Sequence, residues 1–303
     1  MNSYTARLIK KGLRLQRPLL LQVSHPGQIA PLQGLLETLA LLPAHTRQHR
    51  HHIGNIPVLE IHNLRGDRVR GRYLVYIHGG GFNLGSPDSH RSFAARLMQA
   101  GRFEALFMPR YRLAPRHPWP AGLDDVSTLW LALQQQHPDA EFCLAGESAG
   151  ANLALGLCLR LRDGVQPLPR RVYLHSPWLD VSLSGASYHD NSLEDGFIGT
   201  HPARRQWLRR VFSGHYSADH DPAHPHISPL FADLHGLPPL LVQPGAKEIF
   251  LADSHTLKQR CDAAGTACEL DIWPGMWHGF ALFAPLLPEA NRAIARAGRW
   301  LRP

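Results

Sequence analysis

From about residue 56 to the C-terminus, short β-rich runs alternate with helix-length segments, and that rhythm leaves few folds open. The runs are "IPVLEIHNL", "RYLVYIH", "ALFMPRYR", "EFCLAG", "RVYLHSP", "LPPLLVQPG" and "ACELDIWPG". The helix-length segments include "AGLDDVSTLWLALQQQ", "GANLALGLCLRLRD", "IFLADSHTLKQRCDAAG" and "PEANRAIARAGRWL". The β-rich runs are apolar rather than strictly alternating, which suits strands buried on both faces of a sheet. Strands alternating with helices predict a largely parallel, doubly wound α/β sheet. At 303 residues and 44% hydrophobic content, the chain can fill a large core as one domain with additions.

Two segments fall outside the rhythm. Residues 1 to about 50 read as helices with no strand among them. Residues 183–216, "LSGASYHDNSLEDGFIGTHPARRQWLRRVFSGHY", read as a long insertion with one helix near "HPARRQWLRRVF". Long insertions of this kind often serve as lids. We therefore expect an N-terminal helical cap over residues 1–50 and a main α/β domain over 51–303, with a second cap piece at 183–216.

The chemistry starts at Gly146-Glu147-Ser148-Ala149-Gly150, a G-x-S-x-G between a strand-like and a helix-like run. In a sharp strand-to-helix turn the serine is held in a strained conformation with its hydroxyl projecting. Small flanking residues are needed because the two backbones come close. A serine hydroxyl needs a base, and in this architecture an acid and then a histidine follow on later strand ends. His278, in "ELDIWPGMWHGF", follows a strand by a short glycine-containing loop. The acid should come from "PPLLVQPGAKEIFLADS", where Glu248 lies nearest the strand end and Asp253 falls inside the helix, as a surface residue would. Glu248 would fix the tautomer of His278 and stabilise its imidazolium. Activity is expected to fall as His278 protonates, near its reference pKa of roughly 6.5.

Acyl transfer also places negative charge on a carbonyl oxygen, which preorganised amides stabilise. One donor is the amide of Ala149. The rest must come from a loop after an early strand, where "YIHGGGFNLGS" places Gly79, Gly80 and Gly81 beside His78. The aromatic residues Phe82 and Trp178 lie near these motifs and are candidates for a substrate pocket, with core packing as the alternative.

The remaining features narrow the setting. The net charge is +8, but the 32 Lys and Arg are scattered, so no nucleic-acid partner is expected. No apolar run is long enough for a signal h-region or a membrane span, which predicts no stable membrane insertion. The four cysteines lack metal-ligand spacing, giving an expected reduced, cytoplasmic location. The histidine-rich tracts at 45–52 and 215–229 carry no recognisable metal motif, although His45 and His49 would share a face if helical. No metal is expected.

Taken together, "YIHGGGFNLGSPDSH", "YRLAPRHPWPAGLDD", "AGESAGANLAL", "SPWLD", "ISPL" and "WHGF" closely resemble the hormone-sensitive-lipase-like branch of the α/β-hydrolase esterases. The resemblance runs from about residue 57 to the end. It implies an α/β-hydrolase fold with a helical cap, and cofactor-free hydrolysis of short- to medium-chain acyl esters. It further implies Gly80 and Gly81, with Ala149, as oxyanion donors, Gly79 being left to form the turn and His78 to brace the loop. Relatives include monomers and dimers. The chain departs from the pattern at Phe250, where an "E-x-L-L" segment would carry leucine, and at Glu147, often Asp. A small-molecule receptor on the same scaffold, or an amidase or deacetylase with the same triad, are the competing expectations.

Overall fold

A computed structural model describes residues 3–21, 34, 37–199, 206 and 209–302. After helix α1 (Tyr4–Leu21), strands β1 (Thr46–Ile53), β2 (Ile56–Asn63) and β3 (Val69–Ile77) lead into α2 (Pro87–Ala100) and β4 (Phe103–Pro109). There follow α3 (Ala121–Gln136), β5 (Glu141–Glu147), α4 (Ala149–Asp163) and β6 (Val172–His175). The chain ends with β7 (Leu240–Gln243), α5 (Leu251–Ala263), β8 (Cys268–Leu270) and α6 (Pro288–Leu301). One sheet orders the strands β1-β2-β4-β3-β5-β6-β7-β8. The β1–β2 and β2–β4 pairs are antiparallel, and every later pair is parallel.

Apolar residues at successive positions are explained by burial on both sides. Along β3, Val75 and Ile77 join one core with α3 and α4, while Leu74 and Tyr76 join the other with α2 and α6. On β5, Phe142 and Leu144 divide from Cys143 and Ala145 in the same way. A strand sandwiched between two helical layers has no face to give to water, so the period-two pattern disappears into a continuous run.

One expectation fails at the N-terminal side. Residues 46–50 are not helical; they begin β1, which is joined to β2 by the two-residue turn Gly54-Asn55. Because the tract is a strand, His45 and His49 do not share a helix face. His51 instead pairs with Glu60 at 2.8 Å, and His62 takes the other oxygen of that carboxylate at 3.0 Å. Polar residues line nearly all of β1, so its strand state comes from the ladder with β2 rather than from its own pattern.

Helix α1 is tied to the rest of the chain at its N-terminal end and again in its second turn. The Ser3 amide and hydroxyl both donate to the Glu289 carboxylate at the start of α6, at 2.8 and 2.9 Å. Lys10 lies 3.7 Å from Glu194 in the 183–199 stretch. Most of the helix expected near 201–212 lies outside the described residues. Arg209–Ser213 wind as a π-helix, followed by a short helical turn, Gly214–Ser217.

Candidate active site

The β5–α4 turn is set by close backbone contact. A Cβ on Gly146 would lie 2.4 Å from the Gly150 carbonyl, and one on Gly150 would lie 2.2 Å from the Ile77 carbonyl. Neither position can carry a side chain without moving backbone. Between them Ser148 adopts φ 54° and ψ −121°, a left-handed conformation costing a non-glycine residue on the order of 1–3 kcal/mol. Its amide donates to the His175 carbonyl at 3.0 Å, and its own carbonyl accepts from Trp178 at 3.2 Å. The hydroxyl is thereby aimed from a fixed backbone, and it lies 2.9 Å from His278 Nε2.

His278 is buried beyond the end of β8. Its burial, with His175 nearby, pushes the ring down to about 3, well below the roughly 6.5 expected from the reference value. The acid limb of any His278-dependent activity therefore belongs below that reference. Phe250 packs edge-on to the ring at 4.9 Å, so the departure from the leucine pattern puts an aromatic wall against the histidine.

Glu248 follows β7 and is fully buried. Its Oε2 accepts from the Ser176 hydroxyl at 2.7 Å and from the Gly245 amide at 2.9 Å. Among the described residues its Oε1 has no hydrogen-bond partner, and neither does Nδ1 of His278. Burial pushes the Glu248 carboxyl well up, the two hydrogen bonds oppose it, and the charges of Asp195 and Glu147 add to the rise. Asp253 is not the surface residue expected. It is buried, and its Oδ2 accepts from the Leu179 and Asp180 amides at 2.7 and 2.9 Å, with the Tyr188 hydroxyl 3.1 Å from Oδ1. Those bonds brace the "SPWLD" segment against α5.

The glycine loop differs from expectation at Gly79. Gly80 and Gly81 carry positive φ, +118° and +61°, whereas Gly79 does not. Gly79 is glycine for space, because a Cβ there would fall 2.0 Å from Glu147 Oε2. A Cβ on Gly81 would fall 2.2 Å from the ring of Phe212, which arrives from the Arg209–Ser213 segment. Ala149 is the first residue of α4, and its amide is among those a helix leaves without an internal partner. His78 donates from Nδ1 to the Gly79 carbonyl at 2.8 Å and stacks on Tyr111 at 4.3 Å.

Phe82 and Trp178 are both buried. Phe82 stacks on Tyr216 at 3.6 Å, and Trp178 stacks on Phe250 at 5.2 Å while its indole donates to the Asp180 carbonyl. They form a ring lattice reaching from the 209–217 segment to His278.

Two neighbours of the site escaped the sequence analysis. Ser176, besides holding Glu248, accepts from the Gly279 amide at 3.1 Å and so links the loop of Glu248 to that of His278. Asp195 accepts from the His278 amide at 3.4 Å and the Ile249 amide at 3.1 Å. Ser176 sits directly after a strand in "LHSPW", a position that could have been flagged; Asp195 lies in the insertion, where no pattern pointed to it.

His78 offers a test of the buried imidazoles. Burial first, and the nearby His90, push its ring down to about 3. The folded ring stays neutral where the unfolded one takes a proton, so its contribution to stability is full above about 6.5 and is lost as pH falls towards 3. His78→Asn should make the unfolding free energy less steep between pH 6 and 4, by up to about 1.4 kcal/mol per pH unit. Denaturant titrations of both proteins across that range check it; parallel slopes would contradict it.

Comparison with known proteins places this arrangement in a family. The α/β hydrolase fold family matches residues 74–282. The chain is 40% identical over 240 residues to an acetyl-hydrolase of Streptomyces hygroscopicus, covering 79% of this chain and 78% of the relative. It is 33% identical over 243 residues to an esterase of Acinetobacter venetianus, covering 78% of each. Among solved structures, an esterase from the bacterial hormone-sensitive lipase family superimposes with a TM-score of 0.89 at 30% identity, over 99% of this chain and 98% of the other. The chain belongs to the α/β hydrolase fold family. Within it, this protein is a carboxylic ester hydrolase of the hormone-sensitive-lipase-like branch.

Proposed function

We propose that the protein is a serine esterase for short- to medium-chain acyl esters, acting through Ser148, His278 and Glu248. The observation that carries this is the 2.9 Å contact between Ser148 Oγ and His278 Nε2 at a strained turn. His278 takes the serine proton as Oγ attacks the ester carbonyl. The amides of Gly80, Gly81 and Ala149 stabilise the oxyanion. His278 then protonates the departing alcohol and later activates the water that releases the acid. Glu248 Oε1 and His278 Nδ1 are both buried and, among the described residues, both unpartnered. They are the complementary pair that closes when substrate drives proton transfer, since catalytic hydrogen bonds tighten in the reacting complex.

A base within hydrogen-bond reach of Ser148 supports catalysis over a receptor role. Residues 1–45 and 183–216 are proposed as the cap. Support comes from the Lys10–Glu194 contact and from the ring of Phe212 against Gly81. That ring occupies space beside a proposed oxyanion donor and favours small acyl groups. The relative named acetyl-hydrolase points the same way.

A series of p-nitrophenyl esters from acetate to palmitate tests the substrate class. The expected optimum is butyrate or shorter, and a maximum at palmitate would overturn it. Phe212→Ala should raise kcat/KM for octanoate relative to butyrate by about tenfold, the scale of one or two methylene contacts. An unchanged ratio would remove Phe212 from the acyl wall.

A further inference from the structure

The proposed mechanism leaves the buried carboxylate of Glu147, close to the ring of the base, unused. Glu147 ends β5, immediately before the nucleophile, and is almost wholly inaccessible to solvent. Its Oε1 lies 3.6 Å from His278 Nε2, and its Oε2 lies 3.4 Å from His90 Nε2 on α2. Two glycines leave room for it. A Cβ on Gly79 would sit 2.0 Å from Oε2, and one on Gly279 would sit 3.3 Å from Oε1.

We propose that Glu147 is a positioning residue for His278, a second carboxylate that stabilises the imidazolium formed when Ser148 gives up its proton. The inference rests on the Ser148–His278 reading. In the resting state Nε2 accepts from the serine hydroxyl. Once Oγ bonds to the acyl carbon, Nε2 carries the proton and faces the Glu147 carboxylate until the leaving alcohol takes that proton. A separation of 3.6 Å is too long to capture the proton in a hydrogen bond, yet short enough for a strong charge interaction. Glu147 therefore favours the cation without competing for the proton. His90 Nε2 lies 3.4 Å from the other oxygen of that carboxylate.

The other titratable groups around this pair come from several elements. His175 on β6 opposes a charge on His278. Asp195 meets the His278 backbone amide, and Glu248 lies beyond β7 without a hydrogen bond to the ring. Around Glu147, its charge is felt by Tyr76 on β3, Tyr111 after β4 and Tyr173 on β6. His78 lies behind His90, ring centres 5.6 Å apart.

The test uses the full chain labelled on Ser148 with a fluorophosphonate, which caps Oγ and leaves Nε2 facing Glu147. Histidine NMR then reads the imidazolium pKa of His278 per labelled molecule, independent of folding yield. Glu147→Gln should lower that pKa by about one unit or more, the usual effect of losing an opposite charge at this range. Glu147→Asp, which keeps the charge, should recover at least half of the shift. The acid limb of kcat/KM for p-nitrophenyl butyrate should move in the same direction. An unmoved pKa in Glu147→Gln, or equal shifts in both variants, overturns the inference while leaving Ser148 and His278 in their roles. Failure of the wild-type protein to label at Ser148 instead refutes the nucleophile assignment, and the role of Glu147 with it.

Discussion

Ser148→Ala is expected to lower kcat for p-nitrophenyl butyrate by on the order of 10⁶-fold, the loss typical of removing a triad nucleophile. The fold should survive, because among the described residues the Ser148 hydroxyl hydrogen-bonds to His278 alone, while its backbone is held by His175 and Trp178. Alanine inherits the strain of φ 54°. Glycine does not, since positive φ costs it little. Ser148→Gly should therefore be equally inactive yet melt at a higher temperature than Ser148→Ala. Kinetics and thermal melting of the two variants check both statements. Retained hydrolysis in either one would remove Ser148 from the mechanism.

Glu248→Gln carries the next largest effect, about 10⁴-fold in kcat, the scale seen when a triad acid is lost. Gln can still accept from Ser176 and the Gly245 amide, so those bonds need not break. What disappears is the negative charge that would face Nδ1 of His278. Asp253→Asn should behave in the opposite manner. Its Oδ2 accepts from two backbone amides while Oδ1 accepts from the Tyr188 hydroxyl, so an amide group that keeps its oxygen on the backbone must turn its NH2, a donor, towards that hydroxyl. We expect a loss of stability of about 1–3 kcal/mol with kcat within about tenfold of the parent. Measuring kcat and denaturant midpoints side by side separates the roles. A 10⁴-fold loss in Asp253→Asn, with Glu248→Gln active, would exchange the two assignments.

The contrast between these carboxylates also shows what sequence could and could not disclose. Glu248 is singled out as the candidate acid by its distance to a strand end. Asp253 was set aside as a surface residue because it falls within a helix; its burial depends on "SPWLD" arriving from seventy residues upstream. The strands β3 to β7 are legible for a simple reason, namely that burial on both faces writes an apolar run into the chain. β1 was not, because "TRQHRHHI" has almost no buried side chain and takes its conformation from β2. The Gly54-Asn55 pair was the available signal, as a two-residue turn between extended segments. Helix α2 also went unnamed, although Ser86 caps it with Pro87 at its first position. The order of Ser148, Glu248 and His278 could be read along the chain. The nearness of Glu147 to His278 could not, since it joins β5 to a loop 130 residues later.

Gly150 has a consequence for how this enzyme class can vary. Its missing side chain lets α4 rest directly on the carbonyls of Ile77 and His78, so the interval between Ser148 and the glycine loop is a hard-wall distance. Repulsion between packed backbones rises far more steeply with displacement than any hydrogen bond weakens. Segments overhead can therefore lengthen, refold or change sequence without altering that spacing. Where those segments do touch the site, through Phe212 against Gly81 and Asp195 on the His278 amide, their variation would act on the base and the pocket, and leave this one spacing as the invariant.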